Sequence, residues 1–243
     1  MTIILYDIPS TLKGNAWSPN TWKTRYALNF KGIPYKTEWV EYPDIEALCI
    51  KLGIPKSPFE DHYTFPAIHD PSTGAYLSDS WEIAVYLEKT YPDTPKLFPH
   101  NTVALQHATF TAYDDNLAAL WFTVLPDTNN ILNPASEAYF RRTREKAFGK
   151  KMEELEAKGE EGVKEWKRYE SGLKKIADAY ATSSGPFFMG DTPCYADLFV
   201  AAYLIWQRLV WGENSKKWKD VASWQGGRWA KLLKDLSKYE TIH

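Results

Sequence analysis

The sequence predicts an α/β domain whose elements follow the order βαβ and then ββα, and after it an all-helical domain. Through roughly the first hundred residues, short apolar runs that indicate strands alternate with segments of helical periodicity. After Tyr91-Pro92 and Pro95, strand signals nearly vanish and helical patterns continue to the end of the sequence. We therefore expect two domains, residues 1–91 and residues 101–243.

The βαβ half starts with a short apolar run, residues 3–6, that is typical of a buried strand. Ser18-Pro19 then predicts a helix start, because serine is a strong N-cap and proline suits the first helical position. Gly32 is placed to end this helix. Residues 35–42 are rich in strand-forming side chains and complete the unit.

The ββα half follows a second helix, which Asp44 can cap and Gly53 can end. Residues 67–69 and 75–77 flank a turn-rich spacer, which predicts a β-hairpin. A third helix is expected to begin near Ser80.

The second domain shows a succession of helical patterns. Residues 102–124 predict one helix, Pro134 starts a second, residues 195–211 form a further one, and Trp229 marks the last. The charge-dense residues 141–168 indicate a solvated helical face. A buried face is predicted by apolar residues at helical spacing, namely Val163, Trp166, Tyr169, Leu173, Ile176 and Tyr180.

The charges of the chain are nearly balanced, with 29 Lys and Arg against 31 Asp and Glu and a formal net charge of −2. Nucleic-acid binding needs a concentrated basic face, so we expect no nucleic-acid partner. The five histidines show no metal-ligand spacing. Cys49 and Cys194 are too few and too far apart for a disulfide framework or a zinc site, so we expect no metal.

The sequence contains no signal-peptide pattern and no apolar run of about 20 residues. We therefore expect a cytoplasmic protein with no membrane partner. Aromatic residues make up 15% of the chain and include 11 Trp. So many large rings can fill a core, but they also suit a pocket for flat aromatic ligands.

Three short segments carry candidate chemistry, and the first is the helix start at Ser18. A hydroxyl at a helix N-terminus can donate a hydrogen bond to a bound thiolate. A free thiol has a pKa of about 8.5, and a hydrogen bond to a charged group is worth roughly 1.5–3 kcal/mol, or about 1–2 pKa units. Ser18 can thus keep a bound thiol largely ionised at neutral pH; the alternative is a plain N-cap.

The other two segments frame the predicted hairpin. A proline at a strand start, as in Phe65-Pro66, can leave the backbone N–H and C=O of Phe65 open to an extended peptide ligand. Asp79-Ser80 lies at a helix N-terminus, where anions bind. The Ser80 hydroxyl and the Asp79 carboxylate can together hold a ligand with a carboxylate beside an amine, such as the γ-glutamyl end of glutathione. The alternatives are an ordinary trans proline and simple helix capping.

These segments, in this order and spacing, resemble the glutathione transferases over nearly the whole chain. The Ser-Pro-Asn-Thr-Trp-Lys-Thr-Arg run of residues 18–25 is similar to the first-helix motif of the omega-like branch, with serine in place of cysteine. Phe65-Pro66 matches the family's cis-proline position, and Asp79-Ser80 matches its pair of an acidic residue and serine.

The second half continues the resemblance. Residues 187–191 match the family's Gly-Asp run, and Ala196-Asp197 matches its buried helix-capping box. Cys194 departs from the pattern, because that position usually holds Ser or Thr, and the segment 55–63 looks long. Within the superfamily, the long loop before Ser18 looks most like the bacterial β-aryl etherases and the etherase-related fungal class.

The resemblance implies a thioredoxin-like N-terminal domain, an all-α C-terminal domain, a homodimer, and glutathione as the co-substrate. Ser18 would be catalytic. Glutathione would be bound by Phe65, Pro66, Asp79, Ser80 and a basic residue, for which we favour Lys51 while Lys56 and His62 remain candidates. The substrate pocket for hydrophobic aromatic molecules would include Trp17, Tyr113 and Trp121.

Three functions fit these expectations. In the first, glutathione held as a thiolate attacks aromatic electrophiles or aryl ethers. In the second, the protein is a ligandin that binds aromatic small molecules with weak turnover. In the third, a family member has lost its chemistry, which the intact Ser18, Phe65-Pro66 and Asp79-Ser80 argue against.

Overall fold

A computed structural model describes residues 2–58 and 61–243, and its N-terminal half is built on a four-stranded sheet in the order β2-β1-β3-β4. Strand β1 pairs in parallel with β2 and antiparallel with β3, and β3 pairs antiparallel with β4. The strands are β1 (Ile3–Asp7), β2 (Tyr35–Trp39), β3 (Ala67–Asp70) and β4 (Ala75–Ser78). This mixed sheet confirms the predicted thioredoxin-like domain.

Three helices belong to this half, namely α1 (Pro19–Lys31), α2 (Ile45–Leu52) and α3 (Ser80–Thr90). Helix α1 begins after Ser18 and ends at Gly32, as the sequence predicts. Gly32 adopts a φ of 67°, a left-handed conformation in which a residue with a Cβ would be strained. Strand β2 is shorter than predicted, because Tyr42 already belongs to a 3₁₀ turn that leads into α2.

The rest of the chain is helical and confirms the predicted all-α domain. It contains α4 (Val103–Leu117), α5 (Leu120–Asn130), α6 (Pro134–Phe148), α7 (Gly159–Tyr180), α8 (Tyr195–Trp211) and α9 (Lys216–Leu236). No helix among the described residues is long and apolar enough to cross a membrane. A 3₁₀ turn, Pro99–Asn101, precedes α4, and we retain residues 1–91 and 101–243 as our proposal for the two domains.

Three expectations for the helical domain are corrected. The single helix expected over residues 102–124 is divided at Ala118 and Ala119. Around this break, the Ala118 N–H bonds to the Asp115 carbonyl and the Trp121 N–H to the Ala118 carbonyl, each only three residues back. The charged face expected over residues 141–168 is not one helix, because Gly149 ends α6 with a φ of 66°. Val163, expected in a buried stripe, is 55% exposed.

The capping box of α8 depends on Asp197. Its Oδ2 accepts the Cys194 N–H at 2.8 Å, and its Oδ1 accepts the Phe188 N–H at 2.9 Å. Burial of the carboxyl raises the pKa of Asp197. Cys194, which departs from the family pattern, is fully buried at the first position of this box.

Helix α1 is the most enclosed element of the N-terminal half, because eleven of its 13 residues are buried. It contacts α3 of its own domain and α8 of the helical domain. Three of its buried residues, Lys23, Arg25 and Lys31, are cationic. Charges removed from water need a partner. The partner of each cation therefore indicates whether its role is structural.

Two of these cations form ion pairs inside the protein. Arg25 Nη2 lies 2.7 Å from Asp7 Oδ2 of β1, and both side chains are completely buried. Lys31 Nζ lies 2.9 Å from Glu88 Oε2 of α3. Within the described part of the chain, Lys23 forms no ion pair.

We expect Arg25→Met to destabilise the protein strongly. The substitution would leave the Asp7 carboxylate buried without its cation, which typically costs about 3–5 kcal/mol. The free energy of unfolding from urea denaturation measures the effect. Lys174→Met is the control, because Lys174 pairs with Asp178 on an exposed helix surface and should cost less than about 1 kcal/mol. Equal losses in the two variants would contradict the structural role of the buried pair.

Candidate active site

The two segments that frame the hairpin are joined directly. The Asp79 N–H donates to the Pro66 carbonyl at 3.2 Å, just where β3 begins and β4 ends. The Phe65–Pro66 peptide bond is cis, as predicted from the resemblance. The backbone N–H and C=O of Phe65 make no hydrogen bond to another residue in the described ranges, 2–58 and 61–243. An extended ligand can therefore pair with them.

A cavity of about 440 Å³, here called the polar pocket, lies over this junction. It is lined by Asn20, Lys23, Ser57, Thr64, Phe65, Pro66, Asp79, Ser80, Asp114, Trp121 and Tyr203. The structure thus brings together four residues expected to bind one ligand, Phe65, Pro66, Asp79 and Ser80. It adds Lys23 from α1 and Asp114 from α4.

Asp79 both caps α3 and faces the polar pocket. Its Oδ1 accepts the Trp81 N–H at 2.8 Å and the Glu82 N–H at 3.2 Å, while Oδ2 takes part in neither bond. The backbone of Asp79 has a φ of 73°, which is rare for a residue with a Cβ and is typically found at functional sites. Capping and ligand binding are therefore compatible here, because each can use a different carboxylate oxygen.

Lys23 places an ammonium in the polar pocket although its side chain is almost completely buried. Nζ donates to Asn20 Oδ1 at 3.1 Å and lies 4.4 Å from the centroid of the Phe199 ring and 4.9 Å from that of Tyr203. Burial lowers the pKa of Lys23 to about 8, and the carboxylates of Asp114 and Asp79 oppose this shift. Asn20 Oδ1 is the one conventional acceptor of Lys23 Nζ among the described residues, so the ammonium, with three N–H donors, has capacity for an anionic ligand.

Asp114 is the second carboxyl that lines the polar pocket. Burial raises its pKa, and the Lys23 ammonium and the hydrogen bond from Tyr203 counteract that effect. The Tyr203 hydroxyl donates to Asp114 Oδ1 at 3.1 Å. The pocket therefore carries both signs of charge, which suits a zwitterionic group.

The Ser18 hydroxyl is not used as a helix cap. Ser18 occupies the N-cap position of α1, yet its side chain makes no capping hydrogen bond to the helix. The Ser18 carbonyl accepts the Trp22 N–H and the Thr21 hydroxyl, so the helix start is held by the backbone. Since Ser18 also lines the cleft beside the polar pocket, its hydroxyl is available to a ligand.

A smaller cavity of about 150 Å³, here called the aromatic pocket, lies on the other side of Ser18. Its wall consists of Trp17, Ser18, Pro19, Asn20, Tyr42, Trp121, Leu125, Phe140, Arg144, Phe148 and Trp206. Two predicted pocket residues, Trp17 and Trp121, are among them. Asn20 and Trp121 also line the polar pocket, so the two cavities are adjacent.

A third cavity of about 570 Å³, here called the outer groove, joins Ser18 and Phe65 to the segment 61–64. His62 lines this groove. Lys56 instead pairs with Asp61 at 2.9 Å, and Lys51 is exposed in the last turn of α2. Of the three basic residues considered for a ligand carboxylate, the structure brings His62 to the cleft, and it does not bring Lys51 there.

Tyr113 lies away from the three cavities of the cleft. It is 4% exposed and packs against Phe188 and Phe199 inside the helical domain. Burial and the nearby Asp197 carboxylate raise the pKa of its hydroxyl. We therefore leave Tyr113 out of the pocket that we propose below.

Sequence reasoning did not single out Lys23, Asp114 or Arg144 as site residues. Lys23 is three residues after Asn20, which places both on one face of α1, and a lysine between buried aromatic positions is a signal that could have been noticed. Asp114 and Arg144 carry no local signal, because their relation to the cleft depends on how the helices pack.

A larger cavity of about 910 Å³ lies between α5, α7 and α9 and contains none of the residues predicted for the site. Among the residues described, no cluster of His, Cys, Asp or Glu could hold a metal ion. The candidate chemistry therefore belongs to the cleft between the two domains.

The glutathione transferases have this architecture. Their thioredoxin-like domain carries a cis-proline at the start of a strand, and a helical domain follows it and closes a cleft over it. The family model described as glutathione S-transferase, N-terminal domain, matches residues 17–90, and the C-terminal domain model matches residues 104–239. The chain belongs to the glutathione S-transferase family.

Related proteins span nearly the same length. A glutathione S-transferase of Ceriporiopsis subvermispora, solved in complex with glutathione, is 47% identical with a TM-score of 0.94 over 100% of this chain and 99% of that one. A glutathione transferase of Phanerochaete chrysosporium is 46% identical with a TM-score of 0.92 over the same shares. A glutathione S-transferase-like protein of Aspergillus flavus is 34% identical over 93% of this chain and 87% of its own length.

Proposed function

We propose that the protein is a glutathione transferase that binds glutathione in the polar pocket and that Ser18 stabilises its thiolate. The observation that carries this proposal is the Ser18 hydroxyl, which lies at the N-terminus of α1, lines the cleft and makes no capping bond. The glutathione complex of the Ceriporiopsis relative supports the choice of ligand.

The polar pocket suits each part of the tripeptide. The backbone of Phe65 is open to the cysteinyl peptide group in the manner of an added strand. The N-terminus of α3 at Ser80, together with Lys23, would bind the γ-glutamyl carboxylate, while Asp79 and Asp114 would bind the neighbouring ammonium. We propose His62, rather than Lys51, for the glycine end, since His62 lines the groove next to Phe65.

The sulfur would then lie between the two pockets, near Ser18. After the thiol proton has passed to solvent, the thiolate attacks an electrophilic carbon of an aromatic molecule held in the aromatic pocket and outer groove. A carbon–sulfur bond forms, and the bond from that carbon to the leaving group breaks with its electron pair going to the leaving group. An aryl ether would release a phenolate in this step, which is the etherase form of the proposal.

The ring-lined walls of the aromatic pocket favour a second candidate function. Such a cage binds flat molecules whether or not they react. The protein could therefore act as a ligandin for aromatic small molecules with weak turnover.

The homodimer and the cytoplasmic location expected from the sequence remain predictions.

We expect Ser18→Ala to raise the pKa of bound glutathione by about 1–2 units, because the thiolate would lose a charged hydrogen bond. Conjugation at neutral pH should fall about ten- to a hundredfold and recover at high pH, where the thiol ionises without help. The ultraviolet absorbance of the bound thiolate and the pH–rate profile measure these changes.

Ser215→Ala is a matched control for this experiment. Ser215 is an N-cap whose side chain does accept a backbone hydrogen bond, from the Trp218 N–H at 3.1 Å. Its removal should cost about 1 kcal/mol of stability and leave the thiol pKa unchanged. If Ser18→Ala behaves in the same way, Ser18 is a helix cap and the thiolate is stabilised by another group.

Lys23 gives a pH dependence that can be tested with S-methylglutathione, whose sulfur has no proton to lose. A ligand carboxylate favours the charged ammonium, so binding raises the pKa of Lys23 above its free value of about 8. Affinity should therefore be constant below pH 8 and fall as the pH rises above it. Isothermal titration calorimetry at several pH values measures this profile.

Two variants separate the charge of Lys23 from other effects. Lys23→Met should bind S-methylglutathione about ten- to a hundredfold more weakly at pH 7, without the fall above pH 8 that Lys23 causes. Lys23→Arg should bind well and also lack this fall, because arginine stays charged. A parent profile that matches the profile of Lys23→Met would refute the role of the ammonium.

A further inference from the structure

The aromatic pocket contains a single charged side chain among the described residues that line it, Arg144 of α6. Six of the other lining residues present rings, namely Trp17, Tyr42, Trp121, Phe140, Phe148 and Trp206. Neutral aromatic molecules do not need a cation in order to bind in a ring-lined cavity. The presence of Arg144 therefore indicates that the pocket prefers molecules with a group that a cation can bind.

Arg144 is held in place by a ring rather than by a carboxylate. Its guanidinium carbon lies 4.7 Å from the centroid of the Phe140 ring, within the range of a cation–π contact. In the described ranges 2–58 and 61–243, Arg144 forms no ion pair and no hydrogen bond. Arg141, one turn earlier in α6, instead contacts three carboxylates, those of Glu137, Glu145 and Glu153.

The charges around Arg144 leave its donors available. The outer groove, which Arg144 also lines, contains Glu46 and Asp61 as acidic residues among those described. Asp61 already pairs with Lys56, and Glu46 belongs to α2 of the other domain. Among the described residues, no protein acceptor binds the five N–H donors of the guanidinium, and Arg144 lines both cavities.

We propose that Arg144 makes the pocket selective for aromatic molecules that carry an anionic oxygen on the ring, a carboxylate or an ionised phenol. The ring would pack among the aromatic side chains, and the guanidinium would bind the oxygen, with two parallel bonds in the case of a carboxylate. This inference rests on the proposed function for the position of the pocket beside the glutathione sulfur. The inference concerns the charge of the second substrate. The conjugation reaction proceeds with neutral as well as anionic substrates, so it does not determine this charge.

The test compares 3-nitrobenzoate with 3-nitrobenzamide, which differ in charge but hardly in shape. Binding is measured by isothermal titration calorimetry with S-methylglutathione present, so no turnover is required. The parent protein should bind the benzoate about tenfold more tightly, because the guanidinium forms charged hydrogen bonds with the carboxylate that the neutral amide cannot match. Arg144→Gln should bind the two compounds equally.

Arg142→Gln is the control, since it removes the same charge from an exposed position two residues away and should keep the preference. Arg144→Lys should retain part of it. Equal affinity of the parent for the two compounds, or no binding of either, would overturn the proposal, as would a preference that persists in Arg144→Gln. Turnover of 4-chloro-3-nitrobenzoate and its amide with glutathione tests the proposed function separately. If the protein binds the benzoate selectively but converts neither compound, the transferase activity is refuted and the charge selectivity of the pocket is not.

Discussion

Helix α1 is buried against both α3 and α8, so each of its cations must find a partner away from water. Arg25 finds Asp7 of β1, and Lys31 finds Glu88 of α3. These two pairs fix α1 within the N-terminal domain. Lys23 has no such partner within the described residues, and its ammonium faces the cleft instead. Burying an unpaired charge is costly, which supports the ligand-binding role that we propose for Lys23.

The position of α1 also determines how the cleft is divided. Its first turn separates the polar pocket from the aromatic pocket, and Asn20 lines both. The N-termini of α1 and α3 both reach this cleft, through Ser18 and Ser80. A peptide with a free amino-acid end and a thiol would therefore meet charged groups at one end and the Ser18 hydroxyl near its sulfur, with the rings beyond. In our proposal, Ser18 therefore serves catalysis, and the neighbouring side chains of the two pockets determine which molecules bind.

Much of the fold could be predicted because its signals are local. Ser18-Pro19 and Gly32 define the ends of α1, and the apolar residues 195–211 define α8. The break after α4 could not be predicted, because no proline or glycine marks it in the sequence and its position depends on how the helices pack. Tyr113 illustrates the same limit in the site, since helical periodicity indicates an inward face but not whether that face meets a cleft or a core.

Lys23 could not be assigned from the sequence for a related reason. Whether a buried cation is structural or functional depends on which carboxylates the fold brings to it, and these are distant in the chain. Arg25 and Asp7 are 18 residues apart, and Lys31 and Glu88 are 57 residues apart. The segments at Ser18, Phe65 and Asp79 were recognisable because their roles depend on backbone geometry that short motifs encode.

A crystal structure of the protein with bound glutathione tests the central claim most directly, because it locates both the sulfur and the γ-glutamyl carboxylate relative to α1. Our account predicts the sulfur within hydrogen-bond distance of Ser18 Oγ and the carboxylate between the N-terminus of α3 and Lys23 Nζ. Glutathione bound outside the polar pocket, or a sulfur that contacts another group while Lys23 remains without an anionic partner, would contradict it.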